Sequence, residues 1–277
     1  SQLLNSDDYR AYVGGTTGLI YGFVNDGFYT VDDFKPFDSK SRTWTLKDGV
    51  VNSSPLSGDP RPGNAKFKKL TPVDENSANP YTLTDDDRTV IGNTTPKFSG
   101  GFGLNATFKG FDVSAFFNFM YDFDVFNANK VMMTTWASNN YNNFSMDISA
   151  AKRWRNFDDM GNEIRYSPEI LAEFNKNATM WNPTSIGRPI AMSYAVEDGS
   201  FLRLNTATIG YTLPRAWTNK VGLSRVRFYA SGYNLFTITG YSGYDPEVDI
   251  ATGLTPNIDN NRYPRSRTYT FGVQLTF

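Results

Sequence analysis

The sequence contains no cysteine and no histidine. That excludes a disulfide framework, thiolate or imidazole metal ligation, and any nucleophile system built on Ser-His-Asp or Cys-His. It also lacks an apolar run long enough for a transmembrane helix, which needs roughly 20 residues. Charge of either sign is not in excess: 27 Lys and Arg face 28 Asp and Glu, for a net charge of −1. No nucleic-acid footprint is present. The tightest basic cluster, Lys66, Lys68 and Lys69, reads as a solvated loop. No signal peptide is visible, and the chain opens Ser-Gln-Leu-Leu. This reads as a processed start or as a piece of something longer.

Aromatic residues are abundant at 16%, and they alternate. In residues 267–277 (RTYTFGVQLTF), Tyr269, Phe271, Val273, Leu275 and Phe277 fall on one side, with Thr268, Thr270, Gly272, Gln274 and Thr276 on the other. A strand sends successive side chains to opposite faces, so one face is apolar and the other small and polar. The length suits a tilted strand crossing a bilayer, about 9–11 residues. Residues 98–108 and 111–123 repeat the pattern around a tight Lys109-Gly110 turn, with Phe116 and Met120 as exceptions on the polar side. Residues 200–213 form a third such strand. Its two halves are out of phase, which predicts a bulge near Asn205. Residues 225–239 form a fourth, with weaker alternation.

The rest is loop-like. Residues 1–97 hold many turn residues, with a short hairpin predicted where residues 19–24 and 28–31 flank Asn25-Asp26-Gly27. Prolines 55, 60, 62, 72 and 80 then argue for loop with little regular structure. Long connections fill residues 124–199 and 240–266. Within the first, short helices are predicted at residues 145–154 and 168–175, the latter with Pro168 at its first position. Short turns after residues 108 and 213 contrast with the long ones after 123 and 239. Outer-membrane barrels show this asymmetry, with short periplasmic turns and long outer loops. Five strands do not close a barrel, since the smallest have about eight. The expected fold is therefore an all-β transmembrane barrel segment, divided into a loop region at 1–97 and barrel strands with long loops at 98–277.

Ten stretches along the chain resemble the SusC/RagA-type TonB-dependent outer-membrane transporters of Bacteroidetes. They are residues 18–34 (GLIYGFVNDGFYTVDDF), 61–63 (RPG), 87–93 (DRTVIGN) with 96–98 (PKF), 110–117 (GFDVSAFF), 124–127 (DVFN), 196–204 (VEDGSFLRL), 210–214 (GYTLP), 234–236 (NLF), 241–247 (YSGYDPE) and 263–267 (YPRSR). They occur in order and span nearly the whole chain. The resemblance implies the last strands of a barrel of about 22 strands, in the bacterial outer membrane, with an N-terminal plug that is not in this chain. It implies a SusD-like surface lipoprotein as a lid, and import driven through the TonB complex. It implies oligosaccharide substrates, with peptides as a second class. It implies that the barrel-assembly machinery reads the final strand, Tyr269, Phe271, Val273, Leu275 and Phe277. It implies no cofactor and no enzymatic activity. Many relatives carry an acidic cation-binding run before the segment matching 85–88. Here Pro80 and Tyr81 interrupt it, so no metal is expected and Asp85, Asp86 and Asp87 read as a solvated turn.

Aromatic residues in the outer loops suit the flat apolar face of a sugar ring. Trp136, Trp154, Trp181, Tyr241 and Tyr244 are the candidates, with Asp245 as a polar contact. The plainer reading is that the rings pack loops together or meet the lid protein, and that Asp245 and Glu247 pair with Arg262, Arg265 or Arg267. No carboxylate pair stands out for glycoside hydrolysis. Two alternatives stay open: a peptide importer of the same family, and a soluble β-sandwich carbohydrate-binding module.

Overall fold

A computed structural model describes residues 8–135, 144–187, 190–248 and 255–277. Five long strands form one antiparallel sheet: β1 (Phe98–Phe108), β2 (Phe111–Tyr121), β3 (Phe201–Thr212), β4 (Arg225–Thr239) and β5 (Thr268–Thr276). Their order across the sheet is β5-β4-β3-β2-β1, a simple up-and-down meander. Lys109, at φ 49°, and Gly110, at φ 91°, make the two-residue β1–β2 turn, as a hairpin with two left-handed central residues requires.

The register puts every apolar phase on the same side. Phe102 faces Phe117, Ala106 faces Val113, Val113 faces Ile209, Ile209 faces Ala230 and Ala230 faces Phe271. The register shifts between Leu204 and Thr206. This bulge lets Leu202 and Leu204 share the face of Ala207, Ile209 and Tyr211 despite their opposite parity. Opposite it, β4 carries Asn234 at φ 52° and stays in phase, with Ala230, Phe236 and Ile238 on one face. The resulting apolar face stays open: Phe98, Leu104, Phe108, Ile209, Phe271 and Val273 are all more than half exposed.

The opposite face is polar. Thr208 and Ser231 share a hydrogen bond of 2.8 Å across β3 and β4. Arg227 on β4 reaches across β3 to Asp112 on β2, with Nε donating to Oδ1 at 2.9 Å. The guanidinium crosses directly over Gly210, where a Cβ would lie 2.4 Å from it. Glycine at 210 is thus what permits the bridge.

The strand residues 111–123 end earlier than the sequence pattern suggests. Asp122 turns left-handed at φ 58°, and Phe123 leaves the apolar face. It is buried with Phe201, Tyr241 and Val248 on the polar side of the sheet, beneath the loop that follows β4.

The loops are not loose. Residues from the first hundred positions and from the β2–β3 connection share one hydrophobic core, including Ile20, Phe67, Phe126, Trp181 and Met192. The hairpin predicted around Asn25-Asp26-Gly27 is not formed. Leu19–Gly22 instead pairs with Tyr9–Arg10 and Thr89–Asn93, and Asn25–Phe28 pairs with Ala65–Phe67. The long-range partners bury Ile20 and Phe67 completely, a gain that a local two-strand ribbon cannot match. A short 3-10 turn at Met146–Ile148, capped by Ser145, stands where a helix over 145–154 was predicted. The helix Pro168–Phe174 forms with Pro168 in its first turn. Ile258–Asp259 adds to the strand pair Asp124–Asn127 and Val196–Asp198, so the segment before β5 also joins this loop body.

Asp85, Asp86 and Asp87 do not act as one solvated turn. Asp85 and Asp86 are exposed, whereas Asp87 is fully buried. Its carboxylate accepts from Leu70 N, Thr71 N, Thr71 Oγ1, Thr84 N and Lys69 Nζ, at 2.7 to 3.3 Å. Burial pushes its pKa up, but these hydrogen bonds outweigh that and hold it well below the usual carboxylate range. Among the described residues, no group of His, Asp and Glu side chains has the arrangement of a metal site.

Candidate functional site: the wall and its mouth

The sheet has two functional surfaces. Its open apolar face fits hydrocarbon, and its polar face fits a wet interior. All five strands are about 9 to 15 residues long, enough to cross a bilayer at a tilt. Among the described residues no helix is long and apolar enough to cross a membrane.

At the end of the polar face where the loops gather, Arg203 of β3 is 2% exposed. It lies between Asn118 of β2 and Thr237 of β4 in the strand register. Its Nη2 donates to Asp245 Oδ1 at 2.5 Å and lies 3.7 Å from Glu247 Oε2. Glu247 Oε1 accepts in turn from Arg265 Nη2 at 2.6 Å. Two cations and two carboxylates therefore pin the loop after β4 onto the wall. Of the three arginines considered from sequence, Arg265 is a partner of this pair. Arg203, the buried centre, was missed. Its only signal was a single Arg flanked by Leu202 and Leu204 at the polar phase of a wall strand. Arg203 Nε, Glu247 Oε2 and Asn118 Oδ1 are buried and make no hydrogen bond within the described residues.

A second set of contacts fixes the same loop from the other side. Ser242 donates its N–H to Glu197 Oε2 at 2.9 Å and its hydroxyl to Oε1 at 2.8 Å. Lys130 Nζ lies 3.1 Å from Glu197 and 4.4 Å from the ring centre of Tyr194. Burial pushes the Tyr194 phenol up to about 12.

The aromatic candidates separate sharply. Trp154 is 3% exposed and packs with Ile164 and Leu171. Gly63, at φ 89°, lies so close that a Cβ there would stand 2.2 Å from the indole. Trp181 is 2% exposed and meets Tyr194 edge to face. Tyr241 is buried, and its hydroxyl donates to Asp259 Oδ2 at 2.7 Å. Burial, together with that carboxylate, raises the Tyr241 pKa. A stacking residue needs a free ring face. These three rings spend theirs on packing, because the loop body needs large apolar side chains to close its core. Tyr244 differs, being 78% exposed. It lines a cavity of about 240 Å³ together with Arg203, Thr237, Asp245 and Arg265. Trp136 lies outside the described residues. The final strand presents Tyr269, Phe271, Val273, Leu275 and Phe277 as an exposed apolar row.

No protein-family model matches the chain. It is similar to TonB-dependent receptor P3 of Formosa agariphila, 30% identical over 270 residues, which cover 95% of this chain and 22% of that receptor. It is also similar to TonB-dependent receptor SusC of Bacteroides thetaiotaomicron, 32% identical over 164 residues, covering 54% of this chain and 15% of SusC. Among solved structures it resembles a chain of the RagAB peptide importer in the open-open state. There the TM-score is 0.57 at 22% identity, over 93% of this chain and 22% of that one. The chain thus spans 15 to 26% of the length of the curated relatives it matches. With the similarity covering nearly all of its length, the chain is homologous to the TonB-dependent receptors, SusC among them, which are β-barrel proteins of the outer membrane, and its fold matches that of a chain of the RagAB importer.

Proposed function

We propose that the chain forms part of the barrel wall and the extracellular mouth of a TonB-dependent importer of oligosaccharides, working with a SusD-like lipoprotein lid. The observation that carries this reading is one sheet with an open apolar face, a polar face, and a packed loop body fixed to one end. The apolar face contacts lipid. The polar face lines the interior beside the plug, and the orphaned polar atoms of Arg203, Glu247 and Asn118 suit a wall that meets further polar material. The loop body forms the mouth and the lid interface. Tyr244 is the substrate contact this geometry leaves open, with Asp245 beside it already held by Arg203. Movement of substrate is driven from the plug through TonB, and no residue here is assigned a catalytic role. The row from Tyr269 to Phe277 serves as the recognition element for barrel assembly.

Oligosaccharide cargo is what the sequence resemblance implies, and the exposed Tyr244 ring at the cavity beside Arg203 is compatible with it. Peptide cargo is the second reading, favoured by the likeness to the RagAB peptide importer. The test is mass spectrometry of small molecules that co-purify with the full-length receptor and its lid protein in detergent, paired with uptake of labelled oligosaccharide by cells. Bound glycan and receptor-dependent uptake are expected. Bound peptide with no glycan uptake moves the assignment to the second reading.

A further inference from the structure

Two adjoining concavities open in the loop body, of about 500 and 530 Å³, sharing Asn156, Arg165 and Thr184 in their walls. Arginines outnumber carboxylates in the lining. Arg42, Arg61 and Arg165 border one concavity, and Arg153, Arg155 and Arg165 the other. The acidic lining residues are Asp59 and Asp158. Arg165 pairs with Glu163 and Arg155 with Asp159. Arg153 donates to the Ile148 carbonyl. Arg42 and Arg61 have no carboxylate partner among the described residues. In a chain of net charge −1, this is a local excess of positive charge.

The placement of Arg42 is the more telling feature. Its guanidinium lies 5.3 Å from the centre of the Tyr166 ring, and that of Arg165 lies 5.7 Å from the same centre. Both guanidiniums are within cation–π range of that ring, and of the two only Arg165 has a carboxylate partner among the described residues, Glu163. Arg42 is also held at φ 55°, a left-handed conformation that is strained for a residue with a β-carbon. The preceding turn enforces it: the Asp38 carboxylate accepts from Lys40 N, Ser41 N and Ser41 Oγ. Backbone strain of this kind is kept where the surroundings over-determine it, and it clusters at ligand sites. Phe157, half exposed, lines the same concavity, with the Arg165 guanidinium 5.6 Å from its ring centre.

We propose that this cleft is a subsite for an acidic sugar unit, a uronate or a sulfate ester. Arg42, Arg61 and Arg165 take the anionic group, Asn156 and Thr184 take ring hydroxyls, and Phe157 meets the apolar face of a neighbouring unit. Guanidinium forks bind carboxylate and sulfate oxygens through paired charge-assisted hydrogen bonds. The inference rests on the oligosaccharide reading and narrows its substrate class to acidic glycans.

The test uses the full-length receptor in detergent, as wild type and as the double variant R42Q/R61Q, with K35Q as a surface-charge control. Calorimetry measures binding of four probes: a uronate tetrasaccharide, a sulfated tetrasaccharide, a neutral tetrasaccharide and an acidic peptide. Heat-modifiable migration on gels confirms that each variant folds. Wild type is expected to prefer at least one acidic tetrasaccharide over the neutral one by about tenfold or more. That preference should fall with added salt, disappear in R42Q/R61Q and persist in K35Q. The two acidic probes separate carboxylate from sulfate as the anion. Equal affinity for acidic and neutral tetrasaccharides, or a preference that survives R42Q/R61Q, overturns the subsite and leaves the oligosaccharide reading standing. Binding of the peptide alone, with no saccharide bound, overturns both.

Discussion

Arg203 is the residue on which the join between wall and mouth depends. Its guanidinium is removed from water and balanced by Asp245 and, at longer range, Glu247. Taking away one partner of a buried pair leaves the other charge stranded, at a cost of about 3 to 5 kcal/mol. Arg203→Met is therefore expected to free the loop after β4, seen as rapid proteolysis near residues 242–247 while the strands remain protected. Protection equal to wild type there would remove Arg203 from this role. Asp87 is the corresponding anchor inside the loop body. Its folded pKa is depressed, so its contribution to stability is complete above the ordinary carboxylate range and is lost as pH falls through the folded value. Asp87→Asn should cost about 3 kcal/mol at neutral pH and flatten the acid side of the stability profile, read by hydrogen exchange at residues 68–72. Gly63 makes the third case. A side chain there meets both a left-handed backbone and the buried Trp154 indole, so Gly63→Ala should destabilise the loop body by about 2 to 4 kcal/mol. Tryptophan fluorescence during denaturation will report it.

The strands were the most legible elements, because a period of two repeated over about ten residues leaves little choice of structure. All five strands begin and end within two residues of their expected bounds, and the bulge at Leu204–Thr206 was readable as a phase break. The misreadings share one cause. Leu19–Gly22 and Asn25–Phe28 flank a turn signal, but each pairs with a segment tens of residues away. Phe123 alternates with the apolar face, yet a left-handed Asp122 redirects it. For Trp154, Trp181 and Tyr241, packing of the loops is the plainer reading and their burial fits it, but nothing local in the sequence decides between that and sugar stacking. Arg203 went unrecognised for the same reason: its partners Asp245 and Glu247 lie some forty residues on. At this scale the final strand carries its own prediction. If the apolar row ending at Phe277 is the assembly signal, deleting Phe277 lowers the amount of heat-modifiable receptor in the outer membrane. Wild-type levels would assign the row to lipid contact only.

The molecule as a whole pairs a sheet with one open apolar face and a loop body that closes a core of its own. The loop body buries a core of its own, with Ile20, Phe67, Trp181 and Met192 almost wholly enclosed. The sheet does the reverse, exposing Phe98, Leu104, Phe108, Ile209, Phe271 and Val273 on one contiguous face. Among the described residues, β1 and β5 each have one edge without a neighbouring strand. An exposed apolar face of this extent, bounded by open edges, favours association in water. In a closed barrel within lipid, neither feature carries that penalty. Expressed alone, the 277-residue chain is therefore expected to aggregate without detergent, whereas the full-length receptor should extract into detergent as a single heat-modifiable species. Sedimentation of both, with and without detergent, decides the matter. A monodisperse, detergent-free monomer of this chain would mean that the apolar face finds cover within the chain itself. That is what a soluble carbohydrate-binding sandwich requires, and the assignment of the face to lipid would fall with it.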